Sequence, residues 1–305
     1  MRLFKVAAIS LIALTSVGIV ACQKPASKSG TEGSGQKGNV FETGKLKAVV
    51  LGQSLPMVNE TDGQYDGLSF VVLDAIRDHL KTAPENKADD IVIQPIAVQS
   101  AQDGLNKIRS GEADIACGVA FTWERQRTLT YSLPFATSGV RVLAPKGNDG
   151  TPDSLKGKTI GVVKDSAAAS VLAKSLDEAQ FQFFSTPAEA LERLQDGTVE
   201  FLGGDTLWLK ANMKATPTDS HLVPAFPYAR SGVGCIVANT TPHLLNYSNL
   251  AIGRMLTEYV DGNQEARTAV NAWIGPGSDV DLSDEIISGF FSIVLGTTAE
   301  LSKNP

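Results

Sequence analysis

Residues 111–125 read GEADIACGVAFTWER, and residues 128–135 continue as TLTYSLPF. Gly111-Glu112 is a turn signal that follows an amphipathic helical stretch ending near Arg109. Residues 113–117 are a short apolar run closed by a glycine, the pattern of a buried strand. At Gly118 the missing Cβ lets a ligand or another backbone come close. Just past the strand end stand one hydroxyl, Thr122, and one guanidinium, Arg125. Ligands of open α/β sheets bind at that end of the strands. The planar fork of an arginine suits a carboxylate in a way that a lysine cannot reproduce.

Outward from this stretch, the 305 residues are comfortable for two cores rather than one. The net charge is −6, and no basic run interleaves with aromatics, so nucleic acid is not an expected partner. Residues 1–21 carry Arg2 and Lys5, an apolar run and a small-residue end, which reads as an export signal peptide. Ile19-Val20-Ala21-Cys22 is similar to a bacterial lipobox, predicting cleavage before Cys22 and lipidation of its thiol. The plainer alternative is an ordinary secretory signal with an incidental cysteine. Residues 22–42 are rich in Gly, Ser and Lys and are expected to be a flexible tether with a reach of roughly 25 Å. No later segment has the length and apolarity of a membrane span.

The rest of the chain alternates strand and helix patterns. Strands are expected at residues 47–51 and 91–96, with a turn at 61–63, and helices at 68–80 and 101–108. With the strand at 113–117 this is the doubly wound rhythm. An extended run at 140–144 ends at Pro145, and the rhythm restarts: strand to 163, helix 167–176, strand 181–184, helix 187–194 with Pro187 in its first turn, strand 199–202. Residues 232–238 read as a returning strand. Helices follow at 250–260, 266–273 and 284–295.

The opening stretch resembles the extracellular solute-binding proteins of amino-acid transporters, the two-lobed periplasmic binding proteins. Their pattern is G-x-x-D-x-x-x-x-G-x-x-x-T-x-x-R followed by F-S-x-P-[YF]. Gly111, Asp114, Gly118, Thr122, Arg125 and the run Tyr131 to Phe135 fill its positions, and Ala272-Trp273-Ile274-Gly275 is similar to the family's terminal signature. The resemblance implies an α/β fold of periplasmic binding protein type II, two doubly wound βαβ lobes joined by two crossing strands. It implies lobe 1 from residues 43–143 and 237–282, lobe 2 from 144–236, and a C-terminal helix and tail at 283–305.

The resemblance also implies a site. An Asp at the position of Asp205 takes the amino group of the ligand, so Arg125 and Asp205 would hold a zwitterion across the interlobe cleft. Gly118, Ala120, Thr122, Ser166 and Met57 are the further candidates for ligand contact. The plainer reading of Arg125 is a surface ion pair with a nearby acid such as Glu124, and that of Asp205 is a helix N-cap; the two Asp205 roles are compatible. Several positions depart from the family: Ala120 replaces a hydroxyl residue, the aromatic expected near residues 55–57 is missing, the family's G-[FY]-D-x-D becomes Gly67 to Val71, and its K-x-G-[ST] loop becomes Lys164-Asp165-Ser166-Ala167. Met57, Phe121 and Trp123 are possible replacement apolar surface, although such residues are more often core. In proteins of this kind the returning strand is inserted beside the third strand, which brings Cys117 and Cys235 together and makes a disulfide between them possible in an oxidising compartment. Two buried free thiols are the alternative.

Other chemistries find little support in the residues. His79, His221 and His243 lack metal-ligand spacing, and there is no G-x-S-x-G elbow or P-loop, so no catalytic residue, metal or cofactor is expected. The leading expectation is a lipid-anchored, periplasmic or extracytoplasmic monomer that captures an amino-acid-like solute for an ABC permease. An orphan accessory or sensory member, for example beside a radical-SAM peptide-modification system, is the alternative. An exported prephenate or arogenate dehydratase is the remaining one.

Overall fold

A computed structural model describes residues 39–217 and 219–301. The export segment, Cys22 and the tether up to residue 38 lie outside the described residues. In chain order the elements are α1 (Val40–Thr43), β1 (Lys45–Val50), the hairpin β2 (Asn59–Thr61) and β3 (Gln64–Asp66), α2 (Leu68–Lys81), β4 (Val92–Ala97), α3 (Ala101–Arg109), β5 (Ile115–Ala120), α4 (Trp123–Gln126) and β6 (Leu129–Tyr131). Then come β7 (Ala136–Ala144), α5 (Pro152–Leu155), β8 (Thr159–Val163), α6 (Ala167–Ser175), β9 (Gln180–Phe184), α7 (Pro187–Gln195), β10 (Phe201–Asp205), α8 (Thr206–Asn212) and β11 (His221–Val223). The chain returns through β12 (Ala229–Ala238) to α9 (Pro242–Val260), α10 (Gln264–Ile274) and α11 (Asp284–Leu301).

The main sheet runs β4-β1-β5-β12-β7-β10-β8-β9, and its middle strands, β7 and β12, pair with each other. Each lobe therefore has three parallel strands beside an antiparallel crossing strand, β12 next to β5 and β7 next to β10, and the short strands β6 and β11 add to β12 and β7. Pro95 sits in β4, an outermost strand, where a proline costs the ladder least. The apolar face of α2, from Leu68 through Val72 and Ile76 to Leu80, packs on β1 and β5 in the first-lobe core. Separate apolar clusters fill the two faces of the second lobe.

Several boundaries differ from the sequence expectation. The tether ends sooner than residue 42, because Val40 and Phe41 are buried in the first-lobe core and Phe41 meets Tyr247 edge-on. Strand β7 exchanges β12 for β10 at Val140, and β12 exchanges β7 for β5 at Val233, so the lobes divide a few residues before 143/144 and 236/237. Helix α8 lies in the second-lobe segment, yet Leu207 and Ala211 join the first-lobe core. Its Lys210 Nζ donates to Val280 O at 2.6 Å. Helix α9 begins at Pro242 rather than near 250; its buried face starts at Leu244, and the next buried position is Ser248, whose hydroxyl donates to Leu244 O, so the apolar periodicity is interrupted there. Helix α11 buries Ile287, Phe291 and Val294 in the first-lobe core. No described helix is long and apolar enough to cross a membrane.

Candidate functional site

A continuous cavity of about 260 Å³ lies between the lobes and extends into the first. Of the expected ligand contacts, Met57, Gly118, Ala120, Arg125, Ser166 and Asp205 line it. Thr122 does not. Its Oγ1 instead accepts the Arg125 backbone N–H at 3.2 Å as the N-cap of α4, so it positions the turn that carries the arginine.

The match to the family pattern needs one correction. Asp114 and Gly118 are separated by three residues, where the pattern has four. Gly118 itself is a bulge: the pairing of β12 passes from Cys117 to Val119 between Cys235 and Gly234, leaving Gly118 unpaired at φ +83°. A Cβ there would stand 2.6 Å from Ser69 Oγ and 3.1 Å from Met57 Cβ, so only glycine fits. Asp114 does not face the cavity. It accepts the Lys47 N–H at 2.8 Å and donates its own N–H to Lys47 O at 2.9 Å, tying β1 to β5. Burial pushes its carboxyl above the ordinary range, and the Lys47 N–H partly opposes that. Next to the bulge, Cys117 and Cys235 are direct register partners, with Cα atoms 3.9 Å apart and a disulfide between them.

Arg125 uses both arms of its fork. Nη1 donates to Ala120 O at 3.2 Å within its own lobe, and Nη2 donates to Asp165 O at 2.9 Å in the other. Ala120, which lacks the hydroxyl of the family, therefore contributes its carbonyl, which also accepts the Tyr131 Oη–H at 2.8 Å. Asp165, at φ +58°, immediately precedes the N-cap of α6. That cap is Ser166, whose Oγ accepts the Ala169 N–H at 3.0 Å. Ala167 and Ala168 line the cavity at the first turn of α6, where backbone N–H groups have no partner within the helix. A guanidinium and the positive end of a helix thus meet at one point, and what both attract is an anion.

Asp205 ends β10 and caps α8: its Oδ1 accepts from Leu207 N at 2.9 Å and Trp208 N at 3.3 Å. Burial pushes its carboxyl above the ordinary range, opposed in turn by the Ser138 hydroxyl and the Trp208 and Leu207 N–H groups. Helix cap and cavity wall are one residue here. Arg125 and Asp205 are the two formally charged side chains among the lining residues. Of the apolar candidates, Phe121 and Trp123 are not in the wall; Trp123 is 80% exposed and meets Phe121 edge-on. The indole that does line the cavity, Trp208, was not singled out by the sequence. Gly203-Gly204 was its signal, since a Cβ on Gly204 would stand 2.6 Å from the Trp208 ring.

Residues 46–276 match the model of the bacterial extracellular solute-binding proteins, family 3. The virulence sensor protein BvgS of Bordetella bronchiseptica is 30% identical over 159 residues, which cover 51% of this chain and 12% of the sensor. The probable amino-acid-binding protein YxeM of Bacillus subtilis is 25% identical over 211 residues, covering 65% of this chain and 76% of that one. The chain thus spans only about an eighth of its sensor relative. Among solved structures, the ancestral amino acid-binding protein AncCDT-1, a precursor of cyclohexadienyl dehydratase, superposes with a TM-score of 0.65 at 18% identity, over 77% of this chain and 97% of that one. That likeness is one of fold.

Proposed function

From the premise that the chain belongs to family 3 of the bacterial extracellular solute-binding proteins, we propose that it captures a free amino acid by closing its two lobes on it. The observation that carries this reading is the meeting of Arg125 with the start of α6, in a cavity whose other charged wall residue is Asp205. The ligand carboxylate takes the Arg125 fork and the open N–H groups of α6. The ligand ammonium takes Asp205, whose Oδ1 is held in place by the two capping bonds. Gly118 and Met57 form the floor. Each charge-assisted bond contributes about 1.5–3 kcal/mol. Relatives named as amino-acid-binding proteins favour this class of ligand, and favour a binding protein over the dehydratase. Calorimetric titration with a panel of L-amino acids tests the reading. Failure of every amino acid to bind, or full affinity in Arg125→Ala, would overturn it.

The working context follows from the same reading. Cys22 is the proposed lipid attachment site, holding a monomer at an extracytoplasmic membrane face through the tether, and an ABC permease is the proposed recipient. Cys22→Ser should move the mature protein from the detergent phase to the aqueous phase on partition. A sensory or accessory role is the second reading, favoured by the similarity to a virulence sensor. Uptake of radiolabelled ligand in cells lacking the protein separates the two. Undiminished uptake would favour the sensory role.

A further inference from the structure

Two arginines stand together on the crossing strands without a counter-charge, Arg141 on β7 and Arg230 on β12. Arg230 pairs in register with Gly139, two residues before Arg141, so the two side chains leave one face of the sheet as diagonal neighbours. Long side chains at such positions reach one another across about 7–8 Å. The alternate residues Val140 and Ser231 line the interlobe cavity and neither arginine does, so this face is turned away from it. Pro227 covers Gly139 beside them; a Cβ on that glycine would stand 2.7 Å from Pro227 Cβ.

Neither arginine forms an ion pair among the described residues. Arg141 is partly buried and braced, its Nη2 donating to Ala225 O, while its buried Nε has no hydrogen-bond partner among the described residues. Burial, and then the charge of Arg230, hold its guanidinium below the ordinary arginine value. Setting two cations side by side, one of them partly out of water, costs stability, and it does so in a chain whose net charge is −6. A bound anion would offset both costs, and two planar forks suit an ion with several oxygens and two charges. We propose that Arg141 and Arg230 form a second anion-binding site, separate from the cleft, that takes a small free oxyanion of the phosphate or sulfate kind. The ion bridges the crossing strands where β7 leaves β12 for β10.

Thermal melting of the full-length chain in sodium phosphate and in sodium chloride, at matched pH and ionic strength, tests this. An ion bound at a site raises the melting temperature according to its concentration relative to Kd, whereas the general salting effect of phosphate acts on every variant alike. The wild-type chain is expected to gain more from phosphate than Arg230→Gln does, with an apparent Kd at least tenfold lower. In dilute chloride Arg230→Gln should melt at or above the wild-type temperature, because it removes the repulsion on Arg141. Arg125→Ala should keep the wild-type phosphate response, since that arginine belongs to the cleft. An equal phosphate gain in Arg230→Gln and the wild type would overturn the proposal. Loss of the gain in Arg125→Ala would overturn it as well, by placing the ion in the cleft.

Discussion

Arg125 spends its two amino groups on carbonyl oxygens from opposite lobes, so an incoming carboxylate must join or displace those bonds. Only a planar fork serves a carboxylate and both lobes from one position, and a lysine is a single point of charge. Arg125→Lys should therefore weaken amino-acid binding at least tenfold by calorimetry, and Arg125→Ala should abolish it at millimolar ligand. Asp205 poses a different balance. Its carboxyl is raised by burial, so in the ligand-free protein it binds its proton more readily than it would in the unfolded chain. The sign follows from linkage: its contribution to stability is fully present below the unfolded carboxylate value and is lost as pH rises through the raised folded value. An ammonium reverses this by favouring the charged form. Affinity should accordingly fall as pH drops through the raised value. Asp205→Asn keeps an oxygen for the α8 cap and should leave ligand-free melting at pH 8 equal or higher, with the advantage shrinking towards pH 4. At a fixed ligand concentration it should also shrink the ligand-induced rise in melting temperature, because the ligand binds more weakly. Scanning calorimetry across that range reads both effects, and a large melting loss in the ligand-free variant would mean that the cap needs the charge.

At the scale of elements, the β5 bulge joins the fold to the site. Gly118→Ala combines a left-handed φ with a Cβ 2.6 Å from Ser69 Oγ, and should cost about 1–3 kcal/mol in urea unfolding. The disulfide beside it closes a separation of 118 residues and links the strand under the site to the crossing strand. Replacing Cys117 and Cys235 together by alanine should lower stability by about 2–4 kcal/mol, measured against the same unfolding curve. These elements also mark what a single sequence makes legible. The β5 strand and its following arginine stood out because an apolar run, a glycine and a lone guanidinium occur at one strand end. The neighbouring cysteines followed from the strand order that the family resemblance implies. The bulge did not, because one extra residue in a strand shows only against the register of its partner strand. Trp208 was hidden for another reason: its ring reaches the cavity wall beside Gly204, and that closeness appears only once β10 turns into α8. Val40 and Phe41 were lost in a tether-like composition, although two adjacent bulky apolar residues are what a core takes up.

For the whole molecule, the two crossing strands set which parts of the site move. Asp205 pairs with Val140 on β7, and α8 beyond it rests on the first-lobe core through Leu207 and Ala211. Asp205 therefore sits near the pivot and changes its distance from the first lobe little as the cleft opens. Asp165 and Ser166 lie at the far ends of β8 and α6, with no such anchor, so an opening rotation displaces them more. On the proposed zwitterion reading this implies an order of capture: the ammonium would dock at Asp205 near the hinge, and the carboxylate would then draw the start of α6 onto Arg125. Closure depends on the second step. Ligand at saturation should reduce the radius of gyration of the wild-type chain in small-angle scattering. Asp205→Asn, raised to saturation with more ligand, should compact to the same extent, because the bond that closes the cleft is still made. Arg125→Ala should stay open at any concentration tested. Full compaction of Arg125→Ala by ligand would place the closing contact somewhere other than the Arg125–α6 junction.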